Sequence, residues 1–129
     1  MKKRAPIRPT DGELEILRVL WGRGPSGVGK VHKILHAVKG TAYNTTLKLL
    51  QIMLEKGLVT RDDSERPQIY QAAVPEGEMQ RHLVLDLLQR AFGGSARKLV
   101  AALTASDISK DELAEIRRLL DTPRKEGGQ

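Results

Sequence analysis

Cysteine is missing from all 129 residues, which excludes disulfides, thiolate metal sites and cysteine nucleophiles together. Aromatic residues amount to 3%, so the core has to be built from aliphatic side chains, and a hydrophobic content of 40% is enough to build one. No apolar run approaches the ~20 residues that cross a bilayer, and no charged-then-apolar leader with a cleavage site opens the chain. These absences make a cytoplasmic protein with no direct membrane insertion the expectation. The length suits one domain and a smaller appendage.

What the sequence does have is positive charge, unevenly spread. The net charge is +6. Residues 1–72 hold 13 Lys and Arg against 7 Asp and Glu, whereas residues 73–129 hold 9 of each. The whole excess therefore lies in the N-terminal half, where it favours a polyanionic partner; a solvated basic surface is the plainer alternative.

The stretch from Thr41 to Asp62 carries the most information. Ala42, Leu49, Leu50 and Met53, with the Thr46 methyl between them, recur at helical spacing and predict a buried stripe. Tyr43, Asn44, Thr45, Lys48 and Gln51 are left over as an amide- and hydroxyl-rich face. Thr41 is the expected N-cap and Gly57 the expected left-handed stop. Leu58 to Arg61 then reads as a strand, Asp62 to Pro67 as a polar turn, and Ile69, Tyr70 and Ala72 as a returning strand. Helix, strand, charged loop and strand form the second half of a winged helix-turn-helix.

The preceding residues supply the first half. Met1 to Arg8 is a basic arm interrupted by proline. Thr10-Asp11-Gly12-Glu13 fits a capping box, followed by a helix with Leu14, Leu17, Leu20 and Trp21 on its apolar face. Gly22 to Gly29 breaks it. Val28, Val31, Ile34 and Leu35 predict a second helix ending near Lys39-Gly40. Past Val74-Pro75 the character changes. Met79, Leu83, Val84, Leu87, Leu88 and Ala91 form a wide apolar face that Phe92-Gly93-Gly94 ends. Ser95 caps a short helix with Leu99, Val100 and Leu103, and Ser109 to Glu112 opens another with Leu113, Ile116, Leu119 and Leu120. Three short amphipathic helices close a private core poorly, so their faces are expected to pack against a second copy. The dimer contacts are assigned to Leu83, Leu87, Leu99, Val100, Ile116 and Leu120. The expected organisation is mostly α with a small β-hairpin wing: a basic arm (1–9), a winged-helix domain (10–74), a helical dimerisation module (75–121) and a tail (122–129).

Catalytic patterns fail when tested. His32 and His36 have metal-compatible spacing, but Lys33 stands where a zinc protease needs glutamate, and no further ligand cluster accompanies them. His82 is isolated. Gly22 to Lys30 lacks the Walker spacing and the hydroxyl after the lysine. Asp62 and Asp63 are neighbours in a loop, which is poor geometry for paired acid–base work. No catalytic residue, metal or cofactor is expected, and the chain is not read as an enzyme.

Taken together, Thr10-Asp11, Glu13 to Leu17, Leu20-Trp21, Gly24-Pro25, Val31-His32, Ala42-Tyr43, Thr45, Leu49-Leu50-Gln51 and Glu55 to Leu58 resemble the penicillinase-repressor family. Phe92 to Ser95 followed by Leu99-Val100 is similar to that family's C-terminal module. The family comprises winged-helix repressors of beta-lactamase and methicillin-resistance genes and a copper-responsive branch. The resemblance implies a homodimeric repressor on an inverted-repeat operator of double-stranded DNA. By position, Tyr43, Asn44, Thr45 and Lys48 fall on the recognition helix, and Arg61 and Arg66 on the wing beside the backbone. It also brings in a membrane sensor-protease pathway, although Ala102-Leu103 stands at the bond the family cleaves as Asn-Phe. Ile52 replaces a common basic residue, Gly27 replaces a hydroxyl cap, and the cysteine cluster of the copper branch is absent. The competing reading is a winged-helix interaction module with an acidic protein partner.

Overall fold

A computed structural model describes residues 8–64 and 66–121, without the side chains of Leu120 and Asp121. The arm up to residue 7, the tail from residue 122 and the Leu120 contact assigned to the dimer lie outside the described residues. The elements run α1 (Asp11–Arg23), α2 (Val28–Lys39), α3 (Tyr43–Lys56), β1 (Val59–Asp62), β2 (Ile69–Ala72), α4 (Glu76–Phe92), α5 (Ala96–Thr104) and α6 (Lys110–Asp121). The mostly helical, winged architecture expected from the sequence is the one observed.

The capping box at the start of α1 closes in both directions. Thr10 Oγ1 accepts from the Glu13 amide at 3.3 Å, and Glu13 Oε1 accepts from the Thr10 amide at 2.9 Å. A box of this kind normally lies at the surface, yet here Glu13 is only 2% exposed. Burying a carboxylate is costly unless a cation meets it. Lys56, in the last turn of α3, meets it with Nζ 2.7 Å from Oε2 and 3.0 Å from Oε1. Burial alone would push the Glu13 carboxyl upward, but the hydrogen bonds from Lys56 and Thr10 outweigh it and hold the group below its usual range. One side chain thus caps the first helix and ties down the end of the third.

Ile16, Leu17 and Leu20 of α1, Val31 and Leu35 of α2, and Leu50 and Met53 of α3 form the core, joined by Leu58, Val59, Tyr70 and Met79. The α1 stripe is shifted from the expected one: Ile16 is buried, whereas Leu14 and Trp21 are only half-buried. The Trp21 indole N–H spends itself on the Val74 carbonyl at 2.9 Å, fastening the chain as it leaves the hairpin. Gly57 ends α3 with φ +84°, a conformation side chains resist, and the chain turns at once into β1. β1 and β2 pair antiparallel, with Val59 opposite Ala72 and Arg61 opposite Tyr70. On the other side of β2, Ser26 and Tyr70 exchange backbone hydrogen bonds of 2.9 and 2.8 Å. The α1–α2 connection therefore serves as a third, one-residue strand of the wing.

Two expectations fail at the start of α3. The N-cap is Ala42, not Thr41, and no side chain caps the helix. Ala42 is consequently exposed instead of joining the buried stripe. Thr46 is fully buried as expected, but its hydroxyl has no hydrogen-bond partner among the described residues.

The compact units divide within α4, after Val84. Met79 is buried in the N-terminal unit and Leu83 packs against the same core. In the second unit, Gly93 and Gly94 end α4 with positive φ, Ser95 Oγ accepts from the Lys98 amide at 3.1 Å, and Ser109 Oγ accepts from the Glu112 amide at 3.1 Å. No described residue from Leu85 onward is fully buried, and Leu85, Leu87 and Leu119 are among the most exposed large apolar side chains.

Two stability predictions follow from these contacts. Lys56→Met strands the buried Glu13 carboxylate and should cost ~1–3 kcal/mol at pH 7, the usual penalty being reduced because Lys56 keeps some solvent. Glu13 has a lowered folded pKa, so its contribution is complete above the ordinary glutamate value of ~4.3 and fades as pH falls through the folded value. Urea melts at pH 7 and at pH 3 should show the cost of Lys56→Met shrinking in acid; an equal cost at both would show that the pair is not responsible. Thr46→Val replaces the unpartnered hydroxyl by a methyl and should stabilise the fold by about 1 kcal/mol. A melting temperature lowered by that substitution would mean the hydroxyl has found a partner, such as buried water.

Candidate nucleic-acid interface

α3 is divided along its length. Its second half is committed to the core through Leu50 and Met53, and its last turn to Glu13 through Lys56. Its first half presents Tyr43, Asn44, Thr45 and Lys48, all exposed. These four side chains therefore share one accessible region of one helix. The first amides of any helix lack an intrahelical acceptor, and no side chain caps those of Tyr43, Asn44 and Thr45, so the partial positive end of the helix is left for an external partner.

The aromatic ring of Tyr43 is held from the side. His32 of α2 meets it edge-on with ring centroids 5.4 Å apart, and His36 lies 5.4 Å from His32 at a 47° tilt. His36 Nδ1 in turn lies 3.3 Å from the Thr41 carbonyl. The histidine pair thus lines the approach to α3, and no group of three or more metal-ligating side chains occurs among the described residues. Between α3 and the wing lies a cleft of about 300 Å³ lined by Val28, Tyr43, Leu47, Arg66, Pro67, Gln68 and Tyr70. Arg66 and Tyr43 both line this cleft. Leu47, which the apolar stripe left out, is half-buried along it.

Arg61 stands differently from the other candidates. Its Nε lies 2.6 Å from Asp63 Oδ1 and its terminal nitrogen 3.3 Å from Oδ2, a two-pronged pair. The Asp63 carboxylate, with Tyr70 as a second partner, raises the Arg61 guanidinium further above its ordinary value. Beside it Asp62 accepts from the Ser64 hydroxyl at 2.6 Å and the Ser64 amide at 2.9 Å, which holds its carboxyl below the usual range.

The packing of two further residues against the wing escaped the sequence reading. Ser26 and Gly27 lie in what reads as a loop, yet both are buried against the wing. Gly27 is the N-cap of α2, and a Cβ there would stand 3.3 Å from Pro67 Cγ and 3.5 Å from the Gln68 carbonyl. A hydroxyl cap would therefore press on the wing, which gives a local reason for glycine.

Of the side chains assigned to a dimer contact, Leu87 is exposed and Leu99, Val100 and Ile116 are half-buried in the second unit. Leu83 belongs to the first unit, with part of its surface already against that core. Ala102 and Leu103 lie inside α5, the first exposed and the second half-buried.

Known proteins resemble this arrangement over most of its length. The profile of a family described as Penicillinase repressor matches residues 9–122. The chain is 30% identical over 112 residues to the transcriptional regulator BlaI of Mycobacterium tuberculosis (strain ATCC 25618 / H37Rv), covering 84% of this chain and 81% of that protein. It is 24% identical over 122 residues to the penicillinase repressor of Bacillus licheniformis, covering 94% of each. Among solved structures, a MarR family protein from Bacillus stearothermophilus matches with a TM-score of 0.52 and 24% identity, over 88% of this chain and 71% of that one. This last likeness concerns the fold.

Proposed function

The chain belongs to the penicillinase repressor family, and from that premise we propose that it is a cytoplasmic transcriptional repressor that binds an inverted-repeat operator as a homodimer. The observation that carries the reading is the division of α3. Its buried half is fixed by Lys56 and the core, while its free half offers Asn44 and Thr45 for base edges and Tyr43 and Lys48 for phosphates. The excess positive charge of residues 1–72 supports a polyanionic partner for the same unit. On this reading α3 enters the major groove, and Arg66 follows the adjacent backbone.

The second unit supports dimerisation by what it fails to bury. Apolar side chains that a monomer leaves half-exposed gain most by packing against their counterparts on a second copy. Release through an Asn-Phe-specific sensor protease is not part of the proposal, because Ala102 and Leu103 stand at the aligned bond.

Asn44→Ala should cost about 1–3 kcal/mol on the operator and relax the preference at one base position. Lys48→Ala should weaken all sequences evenly and flatten the salt dependence. Operators selected from random-sequence duplexes with each variant check both, and an unchanged base preference in Asn44→Ala would remove α3 from the groove. A chain ending at Val84 keeps Met79 and Leu83 in place, whereas one ending at Val74 would lose both from the core. The longer fragment should remain folded, sediment as a monomer and bind the operator ~10²–10⁴-fold less tightly than the full chain. A dimeric fragment, or one of undiminished affinity, would show that the second unit is not the dimer module.

A further inference from the structure

The wing, which the sequence offers as a basic backbone contact, is not basic. Between Arg61 and Arg66 the sequence holds two arginines against Asp62, Asp63 and Glu65, and in the structure Asp63 already grips Arg61. The grip occupies the edge formed by Nε and one terminal nitrogen, with contacts of 2.6 and 3.3 Å. That edge is one of the two with which a guanidinium takes an oxyanion in parallel hydrogen bonds. A DNA phosphate arriving there has to displace the carboxylate. A phosphate arriving at the opposite edge comes to rest close to a fixed negative charge. Asp63 itself is exposed, its side chain 57% accessible, and an ion pair in that setting adds little to stability. Counterion release, which drives non-specific binding to DNA, is contributed only by cations that newly neutralise a phosphate.

We propose that Asp63 is an internal competitor of the DNA phosphate for Arg61, one that suppresses sequence-independent binding through the wing. This rests on the DNA-binding reading and assigns within it a residue that limits phosphate-driven affinity. The cost falls on every duplex equally. The ratio of specific to non-specific affinity is therefore unchanged; what falls is the absolute affinity, so protein bound to random sequence through phosphates alone is released, while the base contacts of α3 still hold it on an operator.

The test uses the full chain, the variants Asp63→Asn, Arg61→Ala and the double variant, and random-sequence duplexes of about 30 base pairs over a salt titration. Asp63→Asn should bind roughly 3–10-fold more tightly at low salt, with a log–log salt slope steeper by about 0.9 per bound protomer. Arg61→Ala should cost more affinity in the Asp63→Asn background than in the native one, because only there is the guanidinium released from a carboxylate, Tyr70 remaining beside it in both. Unchanged or weaker binding by Asp63→Asn, with native binding intact, would overturn the inference alone and make Asp63 an orienting partner of Arg61. Failure of native protein and variant alike to bind DNA in a salt-dependent way would overturn the DNA-binding reading, and this inference with it.

Discussion

The carboxylate of Glu13 is the constraint on which the N-terminal unit depends. Burial disfavours its charge, and Lys56 and the Thr10 amide are what keep it ionised at no net cost to its pKa. The pairing is split between two distant parts of the chain. The Thr10 amide holds one oxygen as part of a helix cap, while Lys56 reaches both oxygens from the end of α3. A cap is a local device and an ion pair is a tertiary one. Joined in a single residue, they make the start of α1 and the end of α3 one structural event.

Fixing the end of a helix leaves its beginning available. α3 is anchored by Lys56, Met53 and Leu50, and Gly57 then turns the chain sharply into the wing. The start of the helix has no side-chain cap and no buried residue before Thr46, which is a poor arrangement for stability alone. It is a suitable one for a surface whose amides and side chains meet an external anion. The orphaned Thr46 hydroxyl beneath that surface is a further local cost that core packing has to offset. Rigidity of this element matters because base readout is geometric: hydrogen bonds to base edges fail with small displacements.

Elements set by local chemistry were legible in the sequence. The α1 box lies within four residues, the stop at Gly57 needs only glycine's access to positive φ, and the apolar periodicities place every helix. The exposed residues Tyr43, Asn44, Thr45 and Lys48 also emerged, as the complement of the buried stripe. What remained hidden depends on distant pairing. Nothing near Glu13 indicates that Lys56 will bury it, and Gly24-Pro25-Ser26 reads as a loop until β2 supplies Tyr70 as its partner. Thr41 looks a better cap than Ala42, but hydroxyl preference cannot determine where a preceding helix releases the chain. Leu83 looks like the rest of the α4 apolar face, and only the fold shows that part of that face already has a partner.

If α3 reads DNA, its free half is the surface a duplex meets. Amide chemical shifts of the full chain, recorded while an operator duplex is added, test it most directly. The largest changes are expected on residues 43–48, with smaller ones at Arg66 and the wing. Changes concentrated instead around the α1–α2 groove of Val19, Ile34 and Val38, with residues 43–48 silent, would contradict it.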